Sequence, residues 1–417
     1  MILSNISTPL LGLVDTAVLG HLDSEQFLAA VALGGVVFSF IFWGFGFLRM
    51  GTTGLTAQAF GEDNKTEVNA VLMRALLLVL IISCFIFLFK QTIEQISFYW
   101  LKSSAGVEEL ALRYFEIRIW SAPATLSLYA LLGWFLGQLN VRVPLLVVLV
   151  TNITNIVLDV LFVYQFNMQL QGVALASVIA EYVGFTVALL IAIRMMRKNS
   201  SLWLSKQWIN ASKFKAMLLI NSHIFVRTWC LIFTFAFFTV QSARMGDLVL
   251  AVNAVLLNFQ SFMAYALDGF AHAAEALVGK AVGAKNRVMY RQAVLTAGFW
   301  SCAVAIVFVV FYLSLGQQTI ALLTGLDEVR EMAYEYLPWL IAMPLVSFAS
   351  YLFDGIFIGA MMTKAMRNTM LFSLFVVFLP VWYFTRYMGN HGLWLAMTVF
   401  MLARGLSMMV VYKRRER

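Results

Sequence analysis

Six acidic side chains stand inside long apolar stretches of this 417-residue chain: Asp15, Asp159, Glu181, Asp268, Glu275 and Asp354. An ionisable group in hydrocarbon costs roughly 3 kcal/mol or more unless it is paired or solvated, so each is a candidate for handling an ion or a proton. Asn152, Asn155 and Asp159 follow at i, i+3 and i+7 and form one polar stripe on an otherwise apolar helix. With Asp15 they make a cluster of two carboxylates among carboxamides, and such a cluster in low dielectric can exchange a proton near neutral pH. The same residues could instead be a structural network that locks two helices together. A second set is Asp268, His272 and Glu275, at i, i+4 and i+7 of another helix, with Asp354 further on. These could bind a cation or relay protons; alternatively Asp268 and Glu275 satisfy Arg227 or one another, and His272 is a hydrogen-bonded interior histidine. Glu181 reads as pairing within its own half.

The elements that carry these residues are apolar enough to leave water. The chain is 62% hydrophobic and 12% charged, against roughly 25% charged in soluble domains. A spanning helix needs about 20 apolar residues. Twelve such stretches are expected, at 2–20, 28–58, 69–90, 115–138, 143–164, 171–194, 217–242, 250–280, 291–315, 332–361, 367–388 and 391–412. Residues 91–101 read as an amphipathic piece lying at the interface, with Tyr99 and Trp100 at headgroup level. The first stretch has no basic leader and no small-residue cleavage site, and Asp15 interrupts it, so it reads as a helix of the mature protein.

The second half repeats the first. Leu28–Leu33 (LAAVAL) aligns with Leu250–Val255 (LAVNAV), Gly133–Gly137 (GWFLG) aligns with Gly355–Gly359 (GIFIG), and Ala59, Gly61 and Asn64 recur as Ala281, Gly283 and Asn286, an offset of 222 throughout. A long repeat in an apolar chain points to a transporter of two related halves: 1–194, a cytoplasmic linker at 195–216, and 217–417. The acids do not repeat. The same offset carries Asp15, Asn152 and Asn155 onto Phe237, Leu374 and Val377.

Lys and Arg set the orientation. Loops after even-numbered stretches and the C-terminus hold 19 of the 29, the opposite side, including Arg118, holds seven, and Arg49, Arg227 and Arg404 fall inside apolar stretches. The positive-inside rule then places both termini in the cytoplasm. The net charge of +8 is a topology signal, with no nucleic-acid partner implied. Cys84, Cys230 and Cys302 lie in apolar runs without metal or redox spacing. No catalytic or nucleotide-binding motif is present, so the chain reads as no enzyme, with no cofactor and no metal, driven by an ion gradient or a separate subunit. The glycines of the three GxxxG pairs, Gly133–Gly137, Gly279–Gly283 and Gly355–Gly359, read as helix-packing positions. The supply of 36 Phe, 21 Met, 14 Tyr and 11 Trp suits a site for bulky, apolar, often cationic molecules.

Four stretches, PLLGLVDTAVLGHL (Pro9–Leu22), GTTGLTAQAFGEDN (Gly51–Asn64), LDGFAHAAEALVGKAVGAKN (Leu267–Asn286) and FDGIFIGAMMTKAMRN (Phe353–Asn368), resemble the multidrug and toxic compound extrusion (MATE) family, the third most of all its DNA-damage-inducible protein F branch. The resemblance implies an all-α integral membrane protein of twelve helices in two pseudo-symmetric six-helix lobes, in a bacterial inner membrane. It implies antiport of drug-like, often cationic compounds by alternating access, against H+ or Na+, with membrane lipid as surroundings and no obligate protein partner. Asp15 matches the family's first-helix aspartate, Asn155 and Asp159 match its fifth-helix pair, and Asp354 matches a tenth-helix aspartate of sodium-coupled relatives. The acid those relatives carry on the seventh helix is missing between Met217 and Arg244, which turns the expectation toward protons. Sodium-coupled drug antiport, or flipping of a lipid-linked precursor, is the alternative. Relatives also carry residues upstream, including an early proline in the first helix; in this chain Pro9 and Gly12 are the positions where that helix could bend.

Overall fold

The computed structural model describes residues 25–100, 105–198 and 210–416, nearly all of them helical and none in a strand. Eleven described segments are long and apolar enough to cross a membrane. They correspond to the second through twelfth expected stretches; the first, with Asp15, Pro9 and Gly12, lies outside the described residues. The helices of the first half are α1 (Glu25–Gly44), α2 (Phe47–Gly61), α3 (Lys65–Leu88), α4 (Lys90–Trp100), α5 (Ala105–Arg118), α6 (Ala122–Gly137), α7 (Arg142–Val160) and α8 (Gln169–Lys198). Those of the second are α9 (Ala211–Arg244), α10 (Asp247–Gly283), α11 (Arg287–Leu323), α12 (Asp327–Gly359), α13 (Thr363–Phe372), α14 (Leu379–Thr385) and α15 (Asn390–Glu416). Leu80, Phe85, Phe299, Val307, Leu313 and Phe384 are each at least 60% exposed; a surface that apolar suits lipid, not water.

Two expected boundaries move. The fourth stretch begins at Gly106 and not at 115, because a polar turn extends the helix outward, with Glu109 and Arg113 paired at i,i+4 and 2.8 Å. Arg118 therefore sits within the helix, 9% exposed, and not at its outer end. The seventh begins at Ala211, capped by the Asn210 side chain accepting from the Lys213 N–H at 3.1 Å, so α8 and α9 both run into the expected linker. Residues 91–100 of the expected amphipathic piece are helical as α4, with Tyr99 exposed.

The chain divides into two compact units, one ending at Met217 and one from Leu218 to Arg417. In the first, α2 packs on α6, α3 flanks both, and Trp134 donates from Nε1 to the buried Val68 carbonyl at 2.9 Å. In the second, α10 packs on α12, with α11 and α15 also against α12, around Phe238, Met263, Leu340, Trp394 and Phe400.

The repeat holds to the residue inside these units. A Cβ placed on Gly133 would meet the Arg49 carbonyl at 2.5 Å, and one on Gly137 the Thr53 carbonyl at 2.7 Å. The matching glycines, Gly355 and Gly359, press on the carbonyls of Ala271 and Glu275. Both glycine pairs thus let two backbones approach as close as helices can. The turns repeat as well. Asp63 and Lys285 take φ 52° and 51°, and Leu139 and Met361 take φ 59° and 55°. Non-glycine residues rarely adopt that region. Here the following N–H reaches back to the carbonyl five residues earlier, Asn64 to Ala59, Asn286 to Ala281, Asn140 to Phe135 and Met362 to Phe357, and closes the helix end. Asn64 and Asn286 then cap the next helix, accepting from Glu67 and Met289 at 3.0 and 2.9 Å.

Candidate functional site

In the first unit the polar stripe of α7 faces inward. Asn155 and Asp159 are 0% exposed, and Asn152 is half-buried. Asn155 donates from Nδ2 to Ser177 Oγ on α8 at 3.2 Å. The close fit of α8 on α7 has a local cause: Gly184, two turns beyond Ser177, leaves room for Thr151 where a side chain would collide. Just past Asp159 the helix widens into a π turn, Leu161–Gln165, with the Phe166 N–H donating to the Leu161 carbonyl at 3.2 Å. Such turns inside α-helices often accompany functional sites. Each of Asn152, Asn155 and Asp159 makes further interactions, so none stands alone. Asp15, the fourth member of the expected cluster, lies outside the described residues.

A second charged group occupies the same unit. Arg118 Nη2 lies 3.9 Å from Glu181 Oε1 on α8, with its guanidinium 5.9 Å from the centre of the Phe38 ring. Glu181 thus pairs within its own half, as expected.

The second unit treats charge differently. Arg227 of α9 and Arg404 of α15 both donate to Asp354 Oδ2 on α12, the latter at 2.8 Å, and all three residues are buried. Arg404 also lies 5.5 Å from the Phe400 ring centre and 3.2 Å from the Met401 sulfur. A cation reaching Asp354 would have to displace a guanidinium. Asp268 is half-buried, with Tyr351 and Arg404 both within its electrostatic reach, which offsets the second arginine. Glu275 is 1% exposed, its backbone held at the Gly359 crossing. Asp268, His272 and Glu275 all have partners.

Sequence reasoning missed Ser177, which has no periodic relation to α7, and the ion pair of Arg227 with Asp354. It also missed a satisfied knot in the second unit. Asn253 donates to Ser242 and Asn390 at 2.7 Å each, and accepts from Asn390 at 3.0 Å and Trp394 at 2.9 Å. Among the described residues no group of His, Cys, Asp and Glu is placed to hold a metal ion.

Apolar spans in two copies of one repeating unit, with carboxylates buried among helices, define a helical membrane transporter. The chain matches the family described as MatE twice, over residues 1–161 and 224–384, and it belongs to that family. It is 44% identical over 424 residues to DNA damage-inducible protein F of Escherichia coli, covering 100% of this chain and 91% of that protein, which bears out the branch resemblance. Multidrug and toxin extrusion protein 1 of Homo sapiens is 24% identical, over 92% of this chain and 68% of that one. Among solved structures, a MATE protein in the bent conformation superposes with TM-score 0.87 at 19% identity, covering 100% of this chain and 93% of that one. The Vibrio cholerae MATE transporter VcmN in the bent form gives 0.85 at 21%, covering 99% and 94%. The chain is an integral membrane transporter of this efflux family and not an enzyme.

Proposed function

We propose that the protein is a secondary active exporter that exchanges drug-like, often cationic organic compounds for protons, with coupling at Asp15, Asp159, Asn155 and Asn152 of the first unit. The observation that carries this reading is the complete burial of Asp159 beside Asn155, on a helix whose other faces are apolar. Uptake of a proton by this buried carboxylate would change its hydrogen bonding and, with it, the packing of the helices it faces. In the cycle, protonation from outside removes the charge on Asp15 and its neighbours, rearranges the hydrogen bonds of Asn152, Asn155 and Asp159, shifts the first helix and expels the substrate. The emptied protein turns inward, and new substrate binds as the proton leaves to the cytosol. Coupling requires that proton and drug favour different states, and a carboxylate shared by both supplies that difference. The double guanidinium clamp on Asp354 already engages that carboxylate with two cations, which speaks against a sodium site there and leaves the coupling to the first unit.

The test is dye efflux from cells expressing the protein, with a protonophore and with sodium varied at fixed pH. Collapse by the protonophore and indifference to sodium are expected; efflux driven by sodium at fixed pH would overturn proton coupling. In proteoliposomes, Asp15→Asn that still exports dye on a proton gradient would contradict the mechanism.

A further inference from the structure

We infer that Glu181, with Phe38, forms a subsite in the first unit for the positive centre of an organic cation, and that Arg118 is its tethered stand-in when no such cation is bound. The inference rests on the export reading above and names a place for the charged part of the cargo.

Glu181 lies four residues after Ser177 on α8, on the face that already carries the hydroxyl bonded to Asn155. Its side chain is 15% exposed and that of Arg118 is 11% exposed. The 3.9 Å between Arg118 Nη2 and Glu181 Oε1 exceeds a hydrogen bond, so the carboxylate holds the guanidinium by charge alone. Arg118 Nη1 is buried and meets no acceptor among the described residues. The remaining support is the Phe38 ring under the guanidinium. Carboxylate and aromatic face together are what an organic cation needs, and neither is specific to arginine. A pair built to lock helices looks different in this same chain, where Arg404 donates a 2.8 Å hydrogen bond to Asp354.

The surroundings fit an exchangeable cation. Phe38 is held by Phe115 at 5.3 Å, Phe42 at 5.6 Å and Tyr114 at 6.2 Å between ring centres, a fixed aromatic wall. The Thr125 hydroxyl donates to the Ser121 carbonyl at 3.1 Å, so the guanidinium is the carboxylate's charged neighbour. Directly after Arg118 the helix breaks into a 3₁₀ turn, Ile119–Ser121, before α6 begins. A tighter turn of that kind within a spanning segment is a natural hinge, and it gives Arg118 a way to withdraw when a ligand arrives.

The experiment is ethidium binding to the purified full-length protein in detergent, by fluorescence anisotropy, with thermal melting as the check on folding. E181Q should weaken ethidium about tenfold, the size of one charge-assisted contact, and R118Q should tighten it about threefold by removing the internal competitor. Opposite signs are the signature. Equal weakening by both variants with a lowered melting temperature would mean a structural ion pair and overturn the subsite, as would E181Q binding like wild type. Should R118Q not fold, R118K, which keeps the charge on a shape that stacks less well, is read in its place and should give a smaller tightening; weaker binding by R118K would overturn the subsite. If E181Q binds normally while wild type exports dye on a proton gradient, the subsite alone fails. Wild type with neither ethidium binding nor proton-driven efflux would remove the export reading as well.

Discussion

The two units share a scaffold to the residue and differ in what they do with buried charge. Around α7 and α8 of the first, Asp159 and Asn155 are fully buried, Asn155 donates to a serine hydroxyl, and Arg118 pairs with Glu181 only at 3.9 Å. Across α9, α12 and α15 of the second, one carboxylate oxygen accepts from two guanidiniums, and Asn253 sits in a knot with its neighbours. Buried charges joined by direct hydrogen bonds, as Arg404 is to Asp354, fix a structure, whereas a charge pair held at 3.9 Å, as Arg118 is to Glu181, leaves it alternatives. The difference suggests a division of labour, with the second unit as the rigid partner and the first as the one that responds to a proton.

The sharpest way to break this comparison is D354N. It leaves two buried guanidiniums without their carboxylate, and loss of one partner of a buried pair costs roughly 3–5 kcal/mol. A large fall in melting temperature is expected. If D354N melts like wild type but loses coupling, Asp354 belongs with the transport machinery and the division fails. Next come the crossings. G355A and G133A each push a methyl group against a neighbouring helix backbone, and overpacking of that kind costs about 1–3 kcal/mol. Both should destabilise, measured by thermal melting with and without a binding dye. A silent G133A beside a damaging G355A would show that the first unit yields at its crossing. The smallest effect belongs to S177A, which removes the hydroxyl bonded to Asn155 and should cost about 1 kcal/mol. Its consequence should appear in the pH at which transport is half-maximal more than in melting; a change in melting alone would make Ser177 a packing residue.

Much of this architecture was legible in the residues, and the rest was not, for physical reasons. Stretches of apolar residues mark the spans because no other chain composition survives in lipid, and the 222-residue offset was visible because glycines at helix crossings admit no substitute. The left-handed turns were hidden. Leu139, Met361, Asp63 and Lys285 occupy them where a glycine would have announced the conformation. Helix ends were misjudged where polar turns continue a span, and Arg118 accordingly falls within a helix, buried by protein, and not at the helix end. The stripe of Asn152, Asn155 and Asp159 could be read from helical periodicity alone. The clamp on Asp354 could not, since its arginines come from positions 127 and 50 residues away and only the packing of three helices brings them together.

The central claim is that the proton couples through the buried carboxylate of the first unit, and D159N tests it most directly. In proteoliposomes with an imposed pH gradient and no sodium, wild type should accumulate a cationic dye against its gradient. D159N should let dye equilibrate without accumulating it, while melting within a few degrees of wild type. Accumulation by D159N at the wild-type level would contradict the account.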